Sequence, residues 1–138
     1  MNAIDQVGQI LAKLFPNIEL VKDDVEQGFN EPCFFIKTIQ STCDVQPNNR
    51  LLMQESLDVV YYPKTHTKSE CEAIKYVLLT EFKRMDDMAM RKREAKIVDN
   101  VLHYTFNVIY RLAEEEGDTL QVLEDFNGGV KFGEKEER

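Results

Sequence analysis

The stretch from Val101 to Leu112 constrains the fold more than any other part of the chain, because its large apolar residues recur at every second position. If the stretch is a β-strand, one face carries Leu102, Tyr104, Phe106, Val108, Tyr110 and Leu112. The other face carries His103, Thr105, Asn107, Ile109 and Arg111. The first row is far more apolar than the second, so the pattern predicts a strand in a sheet that buries one face against a core.

The first half of the chain supplies a helix and further strands. Apolar residues at three- and four-residue spacings from Ile4 to Leu14 predict an amphipathic helix that ends before Pro16. The following "IELVKDDVE" suits a short strand. Residues 33–45 and 51–63 are rich in β-branched and aromatic residues and flank the turn-forming "QPNNR", so they predict a long hairpin. The imperfect alternation of the first arm indicates a bulge or burial on both faces.

The second half predicts one more helix and one more hairpin. Thr67 and Glu70 have the spacing of a capping box near the start of "THTKSECEAIKYVLLTEFKRM", the clearest helix of the chain. Asp99 and Asn100 both tolerate positive φ, which favours a two-residue turn between "REAKIV" and the alternating stretch. The buried stripe predicted for the helix comprises Ile74, Val77, Leu78, Phe82 and Met85.

This order of elements predicts an α+β fold with a mostly antiparallel sheet, a long hairpin and two helices packed on one face. A chain of 138 residues can bury a sizeable core. We expect a single domain over residues 1–113 and an acidic C-terminal tail over residues 114–138. The tail holds nine acids and three bases, a net charge of −6. We expect its apolar middle to dock and its last residues to be disordered.

The composition excludes several classes of protein. The formal net charge is −8, which argues against a general nucleic-acid binder, since such a protein needs a basic face for phosphates. The longest apolar runs fall well short of the ~20 residues that span a bilayer, so we expect no membrane partner. The N-terminal "MNAIDQVGQILAKLF" lacks the features of a signal peptide. Three cysteines without metal-ligand spacing predict reduced thiols in a cytosolic protein.

No residue pattern indicates an active site. A metal centre at His103 would need further converging ligands, and the only other histidine, His66, lies in a predicted loop with nothing to pair the two. A general base would need a nucleophile or acid within reach, which no local motif supplies. Cys71 stands near a helix start, which favours a thiolate, but packing accounts for it better. We therefore expect no catalytic, metal-binding or cofactor-binding residues and no cofactor.

Three polar regions are candidates for contacts with other proteins. The tip of the long hairpin is exposed and turn-rich, which suits it to reach a neighbouring subunit. The basic "RKR" is either a solvated connector between helix and hairpin or a contact to an acidic neighbour, such as the tail of another copy. The polar face of the alternating strand is either solvent surface or a face or edge paired by a neighbouring subunit. The candidate interface residues are Gln46, Asn48, Asn49, Arg50, Arg91, Lys92, Arg93, His103 and Arg111.

Four segments, in chain order, resemble those of a known family. "LDVVYYP", "SECEAIKYVLLTEF", "DNVLHYTFNVIYRL" and "DTLQVLEDFNGGVK" together resemble the small tail terminator, or tail completion, proteins of tailed phages, PBSX-like prophages and related contractile particles. The resemblance covers nearly the whole chain. It rests on an aliphatic-Leu-His-aromatic strand start, the alternation that follows it and a leucine-containing tail motif.

The resemblance implies a structural virion protein with an α+β fold, no enzyme activity and no cofactor. It implies a hexameric ring at the head-proximal end of the tail tube, where the ring stops tube polymerisation and meets the neck or connector. The implied partners are other copies of the chain, the tail tube protein and the sheath and neck proteins, with DNA only passing through the channel. Assembly would take place in the bacterial host cytoplasm. A head-to-tail joining protein and, from another class, a small enzyme or ligand-binding domain of unknown substrate stay open as alternatives.

Overall fold

The computed structural model of the protein describes residues 2–21 and 30–113. These residues form two helices and five strands in the order that the sequence predicts. The elements are α1 (Ala3–Leu14), β1 (Glu19–Val21), β2 (Cys33–Gln46), β3 (Arg50–Tyr62), α2 (Lys68–Glu81), β4 (Ala89–Val98) and β5 (Val101–Ala113). The predicted tail over residues 114–138 lies outside the described residues, as does the second half of the first predicted strand.

The five strands form one sheet in the order β1-β2-β3-β5-β4. β1 pairs with β2 in parallel, and β4 pairs with β5 in antiparallel orientation. β3 and β5 also run in opposite directions, because side-chain contacts join Ser56 to Asn107 and Asp58 to His103. The predicted α+β fold with a mostly antiparallel sheet is confirmed.

Both helices pack on one face of this sheet, as predicted. The apolar row of β5 lies on that face, and its complement lies on the other. The rings of Phe82, Tyr104 and Phe106 have centroids 5.2, 5.5 and 5.6 Å apart, so three aromatic side chains fill the space between α2 and β5. Burial of each such side chain stabilises the fold by roughly 1.5–3 kcal/mol. The fully buried members of the cluster include Val7, Leu11, Phe34, Leu57, Val59, Tyr61, Leu78, Phe82, Leu102, Tyr104 and Val108.

The start of β2 is buried on both faces, which accounts for its imperfect alternation. Phe34 and Ile36 belong to the cluster beneath the helices. Cys33 and Phe35 belong to a second, smaller cluster with Val60 on the opposite face. From residue 37 to residue 45 every position of β2 is exposed. One strand thus changes from core to surface along its length.

The chain divides into two compact units. The larger comprises Met1–Thr42 and Met53–Tyr110 and contains both helices and both buried clusters. The smaller comprises Cys43–Leu52 and Arg111–Arg138, of which residues 43–52 and 111–113 are described. We call Cys43–Leu52 the hairpin tip. The domain boundary expected after residue 113 stays a prediction, because the residues beyond it are not described.

The start of α2 shows how the sequence sets a helix boundary. Thr67 is the N-cap, and its Oγ1 accepts a hydrogen bond from the Glu70 amide at 3.3 Å. The Glu70 carboxylate accepts hydrogen bonds from the amides of Lys64 (2.8 Å) and Thr65 (2.9 Å) and from the hydroxyls of Thr65 and Tyr61 (both 2.6 Å). Burial acts to raise the pKa of Glu70, but these hydrogen bonds outweigh it and lower the pKa to about 2. Glu70 therefore ties the loop before α2 to β3.

Candidate functional site

The hairpin tip brings several candidate interface residues together. Asn48 and Asn49 form its turn with φ of 67° and 56°, a left-handed conformation that asparagine tolerates better than most residues. Gln46 ends β2 and Arg50 begins β3, so the two flank this turn. Oε1 of Gln46 accepts a hydrogen bond from Nε of Arg111 at 3.2 Å. The smaller unit therefore presents a polar surface with amide donors and acceptors and two guanidinium groups.

The basic "RKR" segment lies inside β4, which corrects its interpretation as a connector between helix and hairpin. The pairing of β4 with β5 shifts between Arg91, which stands opposite Asn107, and Glu94, which stands opposite Thr105. Two residues of β4 therefore face one residue of β5, the arrangement of a β-bulge. Lys92 lies in the bulge with φ of 55°. We call the segment from Arg91 to Glu94 the β4 bulge.

Within the β4 bulge, Arg93 has partners in its own chain. Its Nη1 donates to the carbonyl oxygen of Leu79 at 2.9 Å and to Oη of Tyr104 at 3.3 Å. Tyr104 in turn donates to the carbonyl oxygen of Phe82 at 2.5 Å. Burial raises the pKa of Tyr104 despite the opposing effect of the Arg93 charge. Arg93 therefore fastens the outer strand of the sheet to the end of α2.

His103 lies on the sheet face opposite the helices, as predicted. Its Nδ1 is 3.0 Å from Oδ2 of Asp58, and the two side chains are 29% and 14% exposed. Oδ1 of Asp58 is buried and has no hydrogen-bond partner among the described residues. Lys96 stands opposite His103 on β4, and Ser56 donates to Oδ1 of Asn107 beside the pair at 2.8 Å. The contact between His103 and Asp58 therefore joins β5 to β3 on this face of the sheet.

Asp58 lies on β3, on the same sheet face as His103, and is not among the interface residues that the sequence predicts. The alternation of β3 places Asp58 and Ser56 on its polar face, but it says nothing about which strand lies alongside. The pairing with His103 spans 45 positions in the chain and needs β3 and β5 as neighbours. The signal available in the sequence was that β3 and β5 each have one polar face, which favours contacts between their polar residues if the two strands are neighbours.

All three cysteines have free thiols. Cys33 and Cys71 are buried and Cys43 is exposed. Burial, followed by the nearby charges of Glu19 and Glu31, raises the pKa of Cys33 to about 11. Burial also raises the pKa of Cys71, whose Sγ donates to a carbonyl oxygen at 3.4 Å. Both buried thiols are protonated at neutral pH, which makes them poor nucleophiles.

The histidines and the acidic side chains do not form a metal centre within the described residues. Within residues 2–21 and 30–113, no group of three or more His, Cys, Asp or Glu side chains is placed to hold a metal ion. The two histidines contact different carboxylates, since Nε2 of His66 lies 2.9 Å from Oε1 of Glu31 and His103 contacts Asp58. In the same part of the chain, neither helix has the length and apolar character needed to cross a membrane.

Comparison with known protein families gives this fold a biological context. A family model described as "Phage tail terminator protein" matches residues 2–119, which include both helices and all five described strands. The chain belongs to the phage tail terminator family. Its members are structural proteins, so the chain is a component of the virion tail and interacts with other tail proteins. No curated protein matches the chain.

Proposed function

We propose that this phage tail terminator family protein caps the head-proximal end of the tail tube as a ring. The ring, a hexamer in the particle, stops tube polymerisation and presents the surface that the neck or connector binds. The observation that carries the proposal is the family match over residues 2–119, which spans every described element of the fold. We propose that the particle is a tailed phage or a related prophage-derived particle, such as one with a contractile tail, and that the ring assembles in the host cytoplasm.

The hairpin tip supports a contact with a neighbouring subunit or with the tube. Val45 is 75% exposed, which is unusual for a large apolar side chain of a strand. Arg50 is also exposed, and Asn48 and Asn49 present their amide groups on the turn between the two strands. An apolar side chain surrounded by polar donors and acceptors is the composition of a small protein contact with a polar rim.

A closed ring of identical subunits needs two different complementary patches on each subunit. The hairpin tip and the β4 bulge, which lies on an outer strand of the sheet, are separate candidates for such a patch, and each would meet a different surface of a neighbouring protein. Arg93 and His103 already have partners in their own chain, so we propose that they position these surfaces. Arg91 and Lys92, together with the residues of the hairpin tip, then make the direct contacts.

The charge of the protein suits a channel through which DNA passes. The formal net charge of −8 repels phosphates, so DNA would move through the ring without binding to it. Stable partners of the ring are therefore proteins: the tail tube protein, the sheath and the neck or connector proteins. The net negative charge of the chain also repels acidic protein surfaces, so contact with such partners requires local cationic patches. The cationic residues of the β4 bulge and of the hairpin tip provide them.

The position in the particle can be tested by labelling. A short epitope tag at the C-terminus of the full-length chain, detected with gold-conjugated antibody in electron micrographs, is expected to mark the head-proximal end of the tail. A label at the distal end or along the whole tube would contradict the proposal.

The role of the hairpin tip can be tested with matched surface variants. Val45→Ser is expected to leave thermal stability unchanged and to lower binding to isolated tail tubes in a co-sedimentation assay. Tyr76→Ser is the control, because Tyr76 is an exposed apolar side chain (69% exposed) on α2 and is not one of the candidate interface residues. Equal binding by both variants and the unmodified protein would remove the tip from the proposed contact.

A further inference from the structure

The β4 bulge lies on an outer strand of the sheet. Among the described residues, β4 pairs only with β5, so one side of its backbone has no strand beside it. Such an edge can pair with another chain, and charged residues and bulges are the usual means of limiting which chain it accepts. The β4 bulge combines both means at one place.

The geometry of the bulge leaves two cations available for a partner. Arg93 donates to the Leu79 carbonyl on α2 and to the Tyr104 hydroxyl on β5, whereas Arg91 and Lys92 are both exposed. Neither Arg91 nor Lys92 lies within ion-pair distance of a carboxylate among residues 2–21 and 30–113. Within this described part of an acidic chain, two cations at a sheet edge therefore have no carboxylate partner.

The acidic charge of the chain is concentrated in one segment. Residues 114–138 have a net charge of −6 (nine acids against three bases), so the remaining residues account for −2 of the total −8. Four of the nine acids, Glu114, Glu115, Glu116 and Asp118, lie within five consecutive positions that contain no base. This run has the chemistry that pairs with guanidinium and ammonium groups.

We propose that the Arg91 and Lys92 side chains of the β4 bulge bind the acidic run at residues 114–118 of a second copy of this chain. The proposal rests on the proposed ring, because a ring brings the same two patches of adjacent copies together. Identical copies with a net charge of −8 repel one another, and this contact offsets part of that repulsion at short range. The contact sets the register between subunits and makes their association sensitive to salt.

Zero-length cross-linking of the full-length protein tests this contact directly. A carbodiimide joins a lysine amine to a carboxylate that it touches, and a one-to-one mixture of ¹⁴N- and ¹⁵N-labelled protein distinguishes links within a copy from links between copies. Links between Lys92 and residues 114–118 are expected, half of them of mixed isotope. The exposed residues Lys13, Lys37 and Lys68 serve as internal controls and should link to this segment far less often.

Several outcomes of this experiment would overturn the proposal. Links of a single isotope only would place the acidic run on its own copy. Links that form equally at the control lysines, or no links at Lys92, would show that the bulge does not select this segment. None of these outcomes touches the proposed capping role, which the length of tails in a deletion mutant tests independently.

A charge exchange provides the second arm. Arg91→Glu with Lys92→Glu, or Glu115→Lys with Glu116→Lys, is expected to weaken self-association about tenfold at physiological salt in sedimentation velocity. The chain that carries all four substitutions is expected to recover the original association. The pairing would be contradicted if reversing the charge of one patch alone left self-association unchanged. It would also be contradicted if the chain with all four substitutions associated as weakly as the variants with one patch reversed.

Discussion

Replacement of Glu70 by Gln tests how the N-terminus of α2 is held. Each oxygen of the Glu70 carboxylate accepts two hydrogen bonds: Oε2 from the Tyr61 hydroxyl and the Lys64 amide, and Oε1 from the amide and hydroxyl of Thr65. A glutamine has only one acceptor oxygen. Whichever way it turns, its NH₂ group faces a backbone N–H that cannot become an acceptor, so at least one backbone hydrogen bond is lost.

The magnitude follows from the pKa of Glu70. A fall from 4.5 to about 2 corresponds to about 3 kcal/mol of preference for the ionised form in the folded protein. Glu70 is partly exposed and water screens its charge, so we expect Glu70→Gln to lower the free energy of unfolding by about 1–2 kcal/mol at pH 7. The folded-state pKa lies below the unfolded value. The stabilisation is therefore complete above pH 4.5 and is lost as the pH falls toward 2.

Urea unfolding at several pH values measures this effect. The chain has five Tyr and no Trp, so tyrosine fluorescence and circular dichroism are suitable probes. Glu72→Gln is a matched control near the start of the same helix. The exposed Glu72 interacts mainly with Lys75, whose hydrogen bond lowers the pKa of Glu72. A difference between the Glu70 variant and the unmodified protein that stays constant from pH 7 to pH 2.5, or that the control matches, would refute the reasoning.

Two further predictions concern the outer strand and the thiols. Arg93→Met removes the hydrogen bonds that Arg93 donates to the Leu79 carbonyl on α2 and to the Tyr104 hydroxyl on β5, so we expect a loss of about 1–2 kcal/mol in urea unfolding. In a Tyr104→Phe background, Arg93→Met should change the free energy of unfolding by a different amount than in the unmodified protein. If the losses from the two substitutions simply add, Arg93 and Tyr104 are not in contact. In the folded protein, Cys43 should react promptly with a thiol reagent, whereas Cys33 and Cys71 should react only on unfolding. Equal reaction rates for all three would contradict their assigned burial.

The sequence predicts the central part of the fold because local patterns there agree with burial. The alternation of β5 identifies its core face, since Leu102, Tyr104 and Phe106 are all buried. The turn before β5 adopts the predicted positive φ at Asp99 (52°) and Asn100 (61°). Each of these features is determined by residues close in the chain, which is why a single sequence contains them.

The sequence is less informative where the chain leaves the core. β4 begins at Ala89, four residues before the strand start that "REAKIV" indicates, because an exposed edge strand needs no apolar alternation and the bulge interrupts what alternation exists. The apolar spacing of α2 continues to Met85, but the helix ends at Glu81. Phe82 and Met85 are still buried, so the spacing records burial and not helix length.

In the candidate site, too, local sequence patterns predict some features and contacts between distant elements determine the others. The tip residues follow from turn chemistry, since Asn48 and Asn49 have the left-handed backbone that asparagine permits. The partners of Arg93 and His103 lie on other elements, and no local pattern contains them. Whether these surfaces bind other subunits stays a prediction, because it depends on partners outside this chain.

Tail length in a deletion mutant tests the capping role most directly. Particles produced without this protein, viewed by negative-stain electron microscopy, are expected to show tubes that continue beyond the normal length, since nothing stops polymerisation. Complementation with the full-length protein should restore a single length. Tails of normal length that fail to attach to heads would contradict the capping role and indicate a head-to-tail joining protein in its place.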